Sequence, residues 1–295
     1  MMYSLSDGTV VVSKGPMVLS ILACKGKNPN LTLAQLGGKK ALSLLEDLAK
    51  FRAVVTQNIL KVESNDLFPS VVNKMIHSVK EVSDQTMTPL VCVAGTVADE
   101  VADFIFEHQD ISKVIVNNGG DVAIRLRDQE SAKVGIRTDS KEEDYCPYIV
   151  AIDAKSDIRG IATSGLGGRS FTKGIANSVT VLGWNASIAD VVATSLGNAT
   201  NVDDPAIERQ LAESIYPDTD ISGHWVTMNV GDISLSEIEE ALNKGLTEAK
   251  KLIDRRLIMG ALINVKGIMR MTENVSAIVE ELESPIRNIK RIAAV

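Results

Sequence analysis

The stretch that most constrains the fold is residues 160–200, GIATSGLGGRSFTKGIANSVTVLGWNASIADVVATSLGNAT. It is poor in charge and rich in Gly, Ser, Thr and Ala, with Phe171 and Trp184 its only aromatics. It reads as a small-residue loop, then a strand, then a helix. A second stretch, residues 114–126 (VIVNNGGDVAIRL), reads as its partner. Two apolar strands flank Asn117-Asn118-Gly119-Gly120-Asp121, and Asn-Gly and Gly-Gly favour the positive φ of a tight hairpin. The same glycines would also let a ligand approach the backbone while Asp121 offers a carboxylate. There is neither a GxGxxG nor a GxxxxGK[ST] pattern, so neither a Rossmann fingerprint nor a P-loop is supported.

The chemistry of the longer stretch divides in two. Thr163-Ser164-Gly165 and Gly167-Gly168-Arg169-Ser170 follow a strand expected over 153–162. Successive backbone N–H groups in such a loop can form an anion-binding nest, with Arg169 adding charge. Ser164 lies outside a GxSxG nucleophile elbow. Asp190 and Thr194 are four residues apart, hence on one face of the helix that follows. A carboxylate and a hydroxyl placed so can ligate a hard cation such as Mg²⁺ or Ca²⁺. Ser187 and Asp190 also have the spacing of a helix cap, and an acid in a first turn suits the helix dipole. Both readings stand at this level.

The rest of the chain bounds the partners. A net charge of −7 argues against nucleic acid. The basic groups at Arg255-Arg256 and 287–291 read as solvated helix faces. No window approaches a membrane-spanning apolar run, and the first residues lack the pattern of a secretory leader. Cys24, Cys92 and Cys146 are widely spaced, without a CxxC. That suits a reducing cytoplasm and carries no metal signature.

Strands are expected within 8–24, broken at Gly15-Pro16, and at 113–117, 122–126, 133–137, 148–154, 225–230 and 258–265. Helices are expected within 31–60 and at 68–82, 89–108, 234–256 and 278–292, with another capped by Asp203-Asp204 before Pro205. Ser234 and Glu237 have capping-box spacing. Strands and helices intermix without regular βαβ alternation, so the class is α+β, with mixed or antiparallel sheets and packed helices. A core over 1–215 and a C-terminal extension over 216–295, packed on the same core, are divided near 216–223.

NNGGDV, ATSG and ADVVATSLGNA, in that order, resemble the FAD:protein FMN transferase (ApbE-like) superfamily. The likeness covers about residues 87–200. It is closer to a short, poorly characterised branch found largely in archaea and anaerobic bacteria, which has a helix start like Pro89-Leu-Val-Cys-Val-Ala-Gly95. The resemblance implies an ApbE-like, T-fold-related architecture and a small-molecule pocket for a flavin (FAD or FMN) or nucleotide. Asn118, Gly119, Gly120 and Asp121 would line it on one side, and Thr163, Ser164, Gly165, Arg169 and Ser170 on the other. Asp190 and Thr194 would hold Mg²⁺. Three departures bear on the reaction. Arg169 and Asn177 stand where the branch has His and Asp, and the transferase's His…Asp-Pro-x-Thr-Gly segment is absent. The implied role is therefore a ligand-binding protein or enzyme of anaerobic metabolism rather than FMN transfer itself.

Two other readings belong beside it. Relatives in this branch are associated with anaerobic homocysteine formation, which would make the chain a sulfur-handling accessory protein. Cys92, at the start of a small-residue helix whose N-terminus can lower a thiol pKa, is then the candidate thiol, whereas on its own it reads as a buried small apolar residue. Alternatively the chain is a non-catalytic subunit, with the helix over 234–256 as an interface of a homo-oligomer or a complex.

Overall fold

A computed structural model describes residues 1–138, 146–168, 170–286 and 293–294. Arg169, the charged loop at 140–144 and the basic group at 287–291 lie outside the described residues. The first half begins with strands β1 (Met2–Ser4), β2 (Val10–Lys14), β3 (Met17–Lys25) and β4 (Asn28–Pro29). Helices α1 (Leu31–Lys50), α2 (Arg52–Val55), α3 (Ser70–Val82) and α4 (Val93–Phe106) follow. Strands β5 (Lys113–Asn118), β6 (Asp121–Leu126), β7 (Ser131–Ile136), β8 (Cys146–Asp153), β9 (Gly160–Ser164) and β10 (Ser178–Gly183) lead to α5 (Ala186–Ala199). The remainder is β11 (Ile207–Leu211), α6 (Ala212–Ile215), β12 (Trp225–Val230), α7 (Leu235–Asp254), β13 (Ile258–Val265), β14 (Ile268–Met271), α8 (Glu273–Ser276), β15 (Val279–Ile286) and β16 (Ala293–Ala294).

The class is α+β. A ten-stranded sheet runs in the order β1-β2-β3-β5-β6-β9-β10-β13-β14, with β4 paired to β3, and every pairing in it is antiparallel. One face carries α1, α4, α5 and α7; the other is covered by a smaller sheet ordered β15-β8-β7-β16. Period-two alternation sorts the side chains between these layers. Val114, Val116, Ala123, Ala162, Val179 and Val181 join the helix-side core. Val122, Ile124, Ile161 and Leu182 join the core beneath the small sheet. β13, from beyond the expected boundary at 216–223, pairs with β10 inside the main sheet, and α7 packs on α5. Among the described residues, no helix is long and apolar enough to cross a membrane.

Several local expectations are corrected. The strand expected over 153–162 is two. Asp153 Oδ1 accepts the Lys155 and Ser156 amides, a side-chain turn that ends β8 before β9 starts at Gly160. No helix follows Asp204. Its Oδ1 accepts the Ala206 amide in a tight turn, and the chain enters β11, which pairs with β12. The terminal helix expected at 278–292 is a strand in its described part: β15 pairs with β8, and Pro285 within it could not donate a helical hydrogen bond. The 89–108 segment is a 3-10 turn over Pro89–Cys92 followed by α4. Asn185, not Ser187, caps α5, accepting the Ile188 amide. The capping box at Ser234 and Glu237 forms as its spacing predicts.

Candidate functional site

The candidate site is built from three sheet strands and two helices. Asn118 and Asp121 face each other across the β5–β6 hairpin, which Gly119 and Gly120 close with φ of 70° and 119°. Both angles lie where glycine is the favoured residue. The Asn117 side chain accepts the Gly120 amide and braces the turn. Asn118 donates from Nδ2 to the Ala94 carbonyl, which ties the hairpin to the start of α4. Asp121, Ala123 and Arg125 share the helix-side face of β6 by alternation.

Strand β9 divides its two candidate hydroxyls. Ser164 lies on the helix side, where its Oγ accepts from Thr194 Oγ1 at 3.4 Å. Thr163 lies on the opposite face, bonded to Thr180 of β10 at 2.7 Å. The fold therefore brings Asn118, Asp121, Ser164, Asp190 and Thr194 to one side of the sheet and sends Thr163 to the other. Gly165 follows with φ of 141°, so close to Asn177 that a side chain has no room. Ser170 is exposed on the loop beyond. Asn177 is already engaged: its Oδ1 accepts the Lys266 amide and its own amide donates to Asn264.

Helix α5 presents Asp190 and Thr194 on one face. They are each 7% exposed and Asp121 8%, so the carboxylates sit within the structure at the edge of solvent reach. Asp190 Oδ2 accepts the Gly95 amide of α4 at 2.9 Å. Burial raises the proton affinity of Asp190 well above the usual carboxylate range, and the charge of Asp121 adds to the effect against the Gly95 bond. A second carboxylate near buried Asp190 favours a proton or a cation beside it. The donor set is all oxygen, which suits a hard cation. Among the described residues, no group of three or more His, Cys, Asp or Glu side chains is placed to hold a metal.

Three features of this region escape sequence reasoning. The Gly95 amide acts as a donor, and Asp99 and Arg125 form a buried ion pair with a 2.9 Å contact. The available signal lay in Arg125, the only cation in DVAIRL; Asp99, next to Glu100 and four residues before Asp103, carries none. A wide trough of about 720 Å³ runs elsewhere, along α7, lined by Ser236, Glu240, Asn243, Lys244 and Thr247, and contains none of the predicted site residues.

Of the two readings of Cys92, the structure bears out the buried small apolar residue and not the activated thiol. Cys92 is completely buried, and burial followed by the nearby Asp190 pushes its proton affinity up rather than down. Desolvation outweighs its place before α4. Cys24 and Cys146 are also buried, with their thiols pushed up by burial.

Comparison with known proteins places the chain in a family. A family model described as "AbpE bacteria" matches residues 3–271. A UPF0280 protein of Methanococcus vannielii is 32% identical over 211 residues, covering 68% of this chain and 81% of that protein. UPF0280 proteins of Methanopyrus kandleri and Methanococcus aeolicus are 37% and 33% identical over 127 and 129 residues, covering 42% and 43% of this chain. The chain spans about half the length of these two relatives, 48% and 51%. Among solved structures, the ApbE protein of Thermotoga maritima aligns with a TM-score of 0.49 at 14% identity, covering 95% of this chain and 100% of that one. The apo flavinyl transferase ApbE of Pseudomonas stutzeri aligns with a TM-score of 0.42 at 11% identity, covering 95% and 98%. Matched over most of its length, the chain belongs to the AbpE bacteria family and is a relative of the UPF0280 proteins.

Proposed function

We propose that the protein binds a flavin or a related nucleotide together with a hard divalent cation, held between the β5–β6 hairpin and the start of the loop after β9. One observation carries the reading. Asp121 from β6 and Asp190 from α5 bring two carboxylates into one buried region, where burial and the charge of Asp121 disfavour ionised Asp190. A cation would relieve both the desolvation and the repulsion. Asp121, Asp190 and Thr194 would hold it, with Ser164 beside them. Two carboxylates suit Mg²⁺, which keeps several waters and completes its shell with ligand phosphates. When bound, such an ion polarises a phosphate oxygen.

The chain's own groups do the positioning. The Gly95 amide orients Asp190. Gly119 and Gly120 leave the hairpin tip without side chains, so a ligand can lie against backbone. Family membership and the NNGGDV, ATSG and ADVVATSLGNA motifs support the flavin class. Group transfer is not part of the proposal. Asn177 stands where the related branch has an acid, and a carboxamide bonded to Lys266 supplies no general base. Three buried free thiols support a reducing, cytoplasmic setting. The likeness to an archaeal and anaerobe branch supports a place in anaerobic metabolism.

The test is thermal unfolding with Mg²⁺ or Mn²⁺, and with FAD, FMN or ADP, singly and combined. A ligand at 100 times its Kd should add about 2.7 kcal/mol of stability. The expected result is a raised Tm with cation plus nucleotide that Asp121→Asn abolishes while the variant still folds. No shift with any combination overturns the proposal.

A further inference from the structure

The elements that supply the site meet at a second place, deeper in the protein. Arg125 donates from Nε to Asp103 at 2.7 Å and from Nη2 to Asp99 at 2.9 Å. Its Nη1 donates to the Ile124 and Arg159 carbonyls, both at 3.1 Å. Asp99 is wholly buried and takes two further donors, the Ala186 amide on Oδ1 at 3.1 Å and the Ser187 amide on Oδ2 at 2.8 Å. These are the first two residues of α5. A carboxylate from one helix thus satisfies amides that another helix leaves open at its N-terminus.

The favour is returned one turn away on each helix. Asp190, in the first turns of α5, accepts the amide of Gly95, in the first turn of α4. The Thr96 and Ser187 hydroxyls bond between the two contacts at 2.6 Å. There is no slack, because a Cβ on Gly95 would lie 2.3 Å from the Ala186 carbonyl oxygen. Gly95 to Asp99 and Ser187 to Asp190 are each about one turn of rigid helix. Fixing one end of this exchange fixes the other.

We infer that Asp99, neutralised by Arg125, is the positioning residue of the candidate site. The pair touches every element that carries a site side chain on this face beyond the hairpin's first strand. Arg125 belongs to β6, which begins with Asp121, and it holds the Arg159 carbonyl just before β9, which ends in Ser164. Asp99 belongs to α4 and holds the first turn of α5, which carries Asp190 and Thr194. Asp121 and Arg125 are four residues apart on an extended strand, so the ion pair lies on the order of 13 Å from Asp121 and acts through placement rather than contact. Burial opposes the charge on Arg125, but Asp99 and Asp103 hold its guanidinium firmly protonated. The placement matters to a ligand only on the reading proposed above, so the test reads placement separately.

Asp99→Asn is the direct perturbation. An amide presents its NH₂ group to donors where the carboxylate accepts from Ala186, Ser187 and Arg125 together. Exchange of the Gly95 amide, followed by NMR, reports whether Asp190 stays in place. Val116 and Ile263, on central strands, report global stability. The expected result is Gly95 exchange accelerated at least tenfold beyond any change at those two. An equal factor at all three amides overturns the inference, since Asp99 would then contribute stability alone. Should Asp99→Asn fail to fold, Asp99→Asn combined with Arg125→Met leaves no unpaired buried charge, and the same comparison decides. Mn²⁺ titration is the second readout. Affinity weakened about 10- to 100-fold in the variant is expected for a partner that orients a ligand. Equal affinity in both proteins overturns the inference. Absence of Mn²⁺ binding by the wild type rejects the proposed function instead, and the amide comparison still decides the placement.

Discussion

Replacing Gly95 by Ala tests how closely α4 and α5 meet at the site. The new Cβ would lie 2.3 Å from the Ala186 carbonyl oxygen, 2.7 Å from its carbon and 2.9 Å from Asp190 Cβ. Ordinary contact begins near 3.4 Å, so α5 must retreat by about 1 Å. A close-packed interior resists such a shift at about 1–3 kcal/mol. The same retreat stretches the 2.9 Å bond from the Gly95 amide to Asp190 beyond hydrogen-bonding distance. Leaving that buried donor unmet costs about 1–3 kcal/mol. The better helix propensity of Ala offsets roughly 1 kcal/mol. The net expectation is a loss of about 1–5 kcal/mol. Gly197→Ala on α5 is the matched control. The nearest atom to its Cβ would be Thr172 Oγ1 at 3.6 Å, an ordinary contact. Propensity alone then predicts a gain of about 0.5–1 kcal/mol. Urea unfolding followed by the fluorescence of Trp184 and Trp225 measures both variants. Gly95→Ala as stable as wild type would refute the backbone-to-backbone approach from which the site geometry is argued.

Three further outcomes are expected. Because burial and Asp121 raise the proton affinity of folded Asp190, the folded state binds more protons than the unfolded chain from about pH 4 up to the raised value. The contribution of this group to stability therefore falls as pH rises through that window. In chelator, Asp190→Asn should flatten the decline of Tm between pH 4 and 8; an unchanged slope counts against the buried, charge-opposed carboxylate. Thr163→Val should lower stability by about 1 kcal/mol through the lost bond to Thr180 and leave ligand midpoints alone, whereas Ser164→Ala should shift them. The reverse pattern in thermal shifts would contradict the assignment of faces on β9. Iodoacetamide should leave Cys24, Cys92 and Cys146 unmodified in the folded protein and label all three in denaturant, as mass spectrometry can count. Rapid labelling of native Cys92 would reinstate the sulfur-handling reading.

Sequence alone determined what is local. Asn-Gly-Gly between two apolar runs specifies the β5–β6 hairpin, because glycine accepts the backbone angles the turn needs. Gly15-Pro16 ends β2, Ser234 and Glu237 start α7, and the small-residue segments become the buried helices α4 and α5. In these cases the deciding interactions span a few residues. The order of NNGGDV, ATSG and ADVVATSLGNA also pointed to the family whose model matches residues 3–271. Tertiary structure decided what depends on distant partners. Strand β15 (Val279–Ile286) is extended because β8 offers it a ladder; Pro285 opposes a helix there but does not announce that partner. Thr163 and Ser164, neighbours on a strand, must take opposite faces, but only the packing of β9 decides that Ser164 is the one turned to the helices. Asp99 reads as an ordinary helical acid until residues 88 positions away bring it the Ser187 amide. Asp121 and Asp190 come into one region only when the sheet places β6 beside β9 and α5 packs on both. Residue types are written along the chain, but the low-dielectric space that turns two carboxylates into a candidate cation site exists only once the helices have excluded water from it.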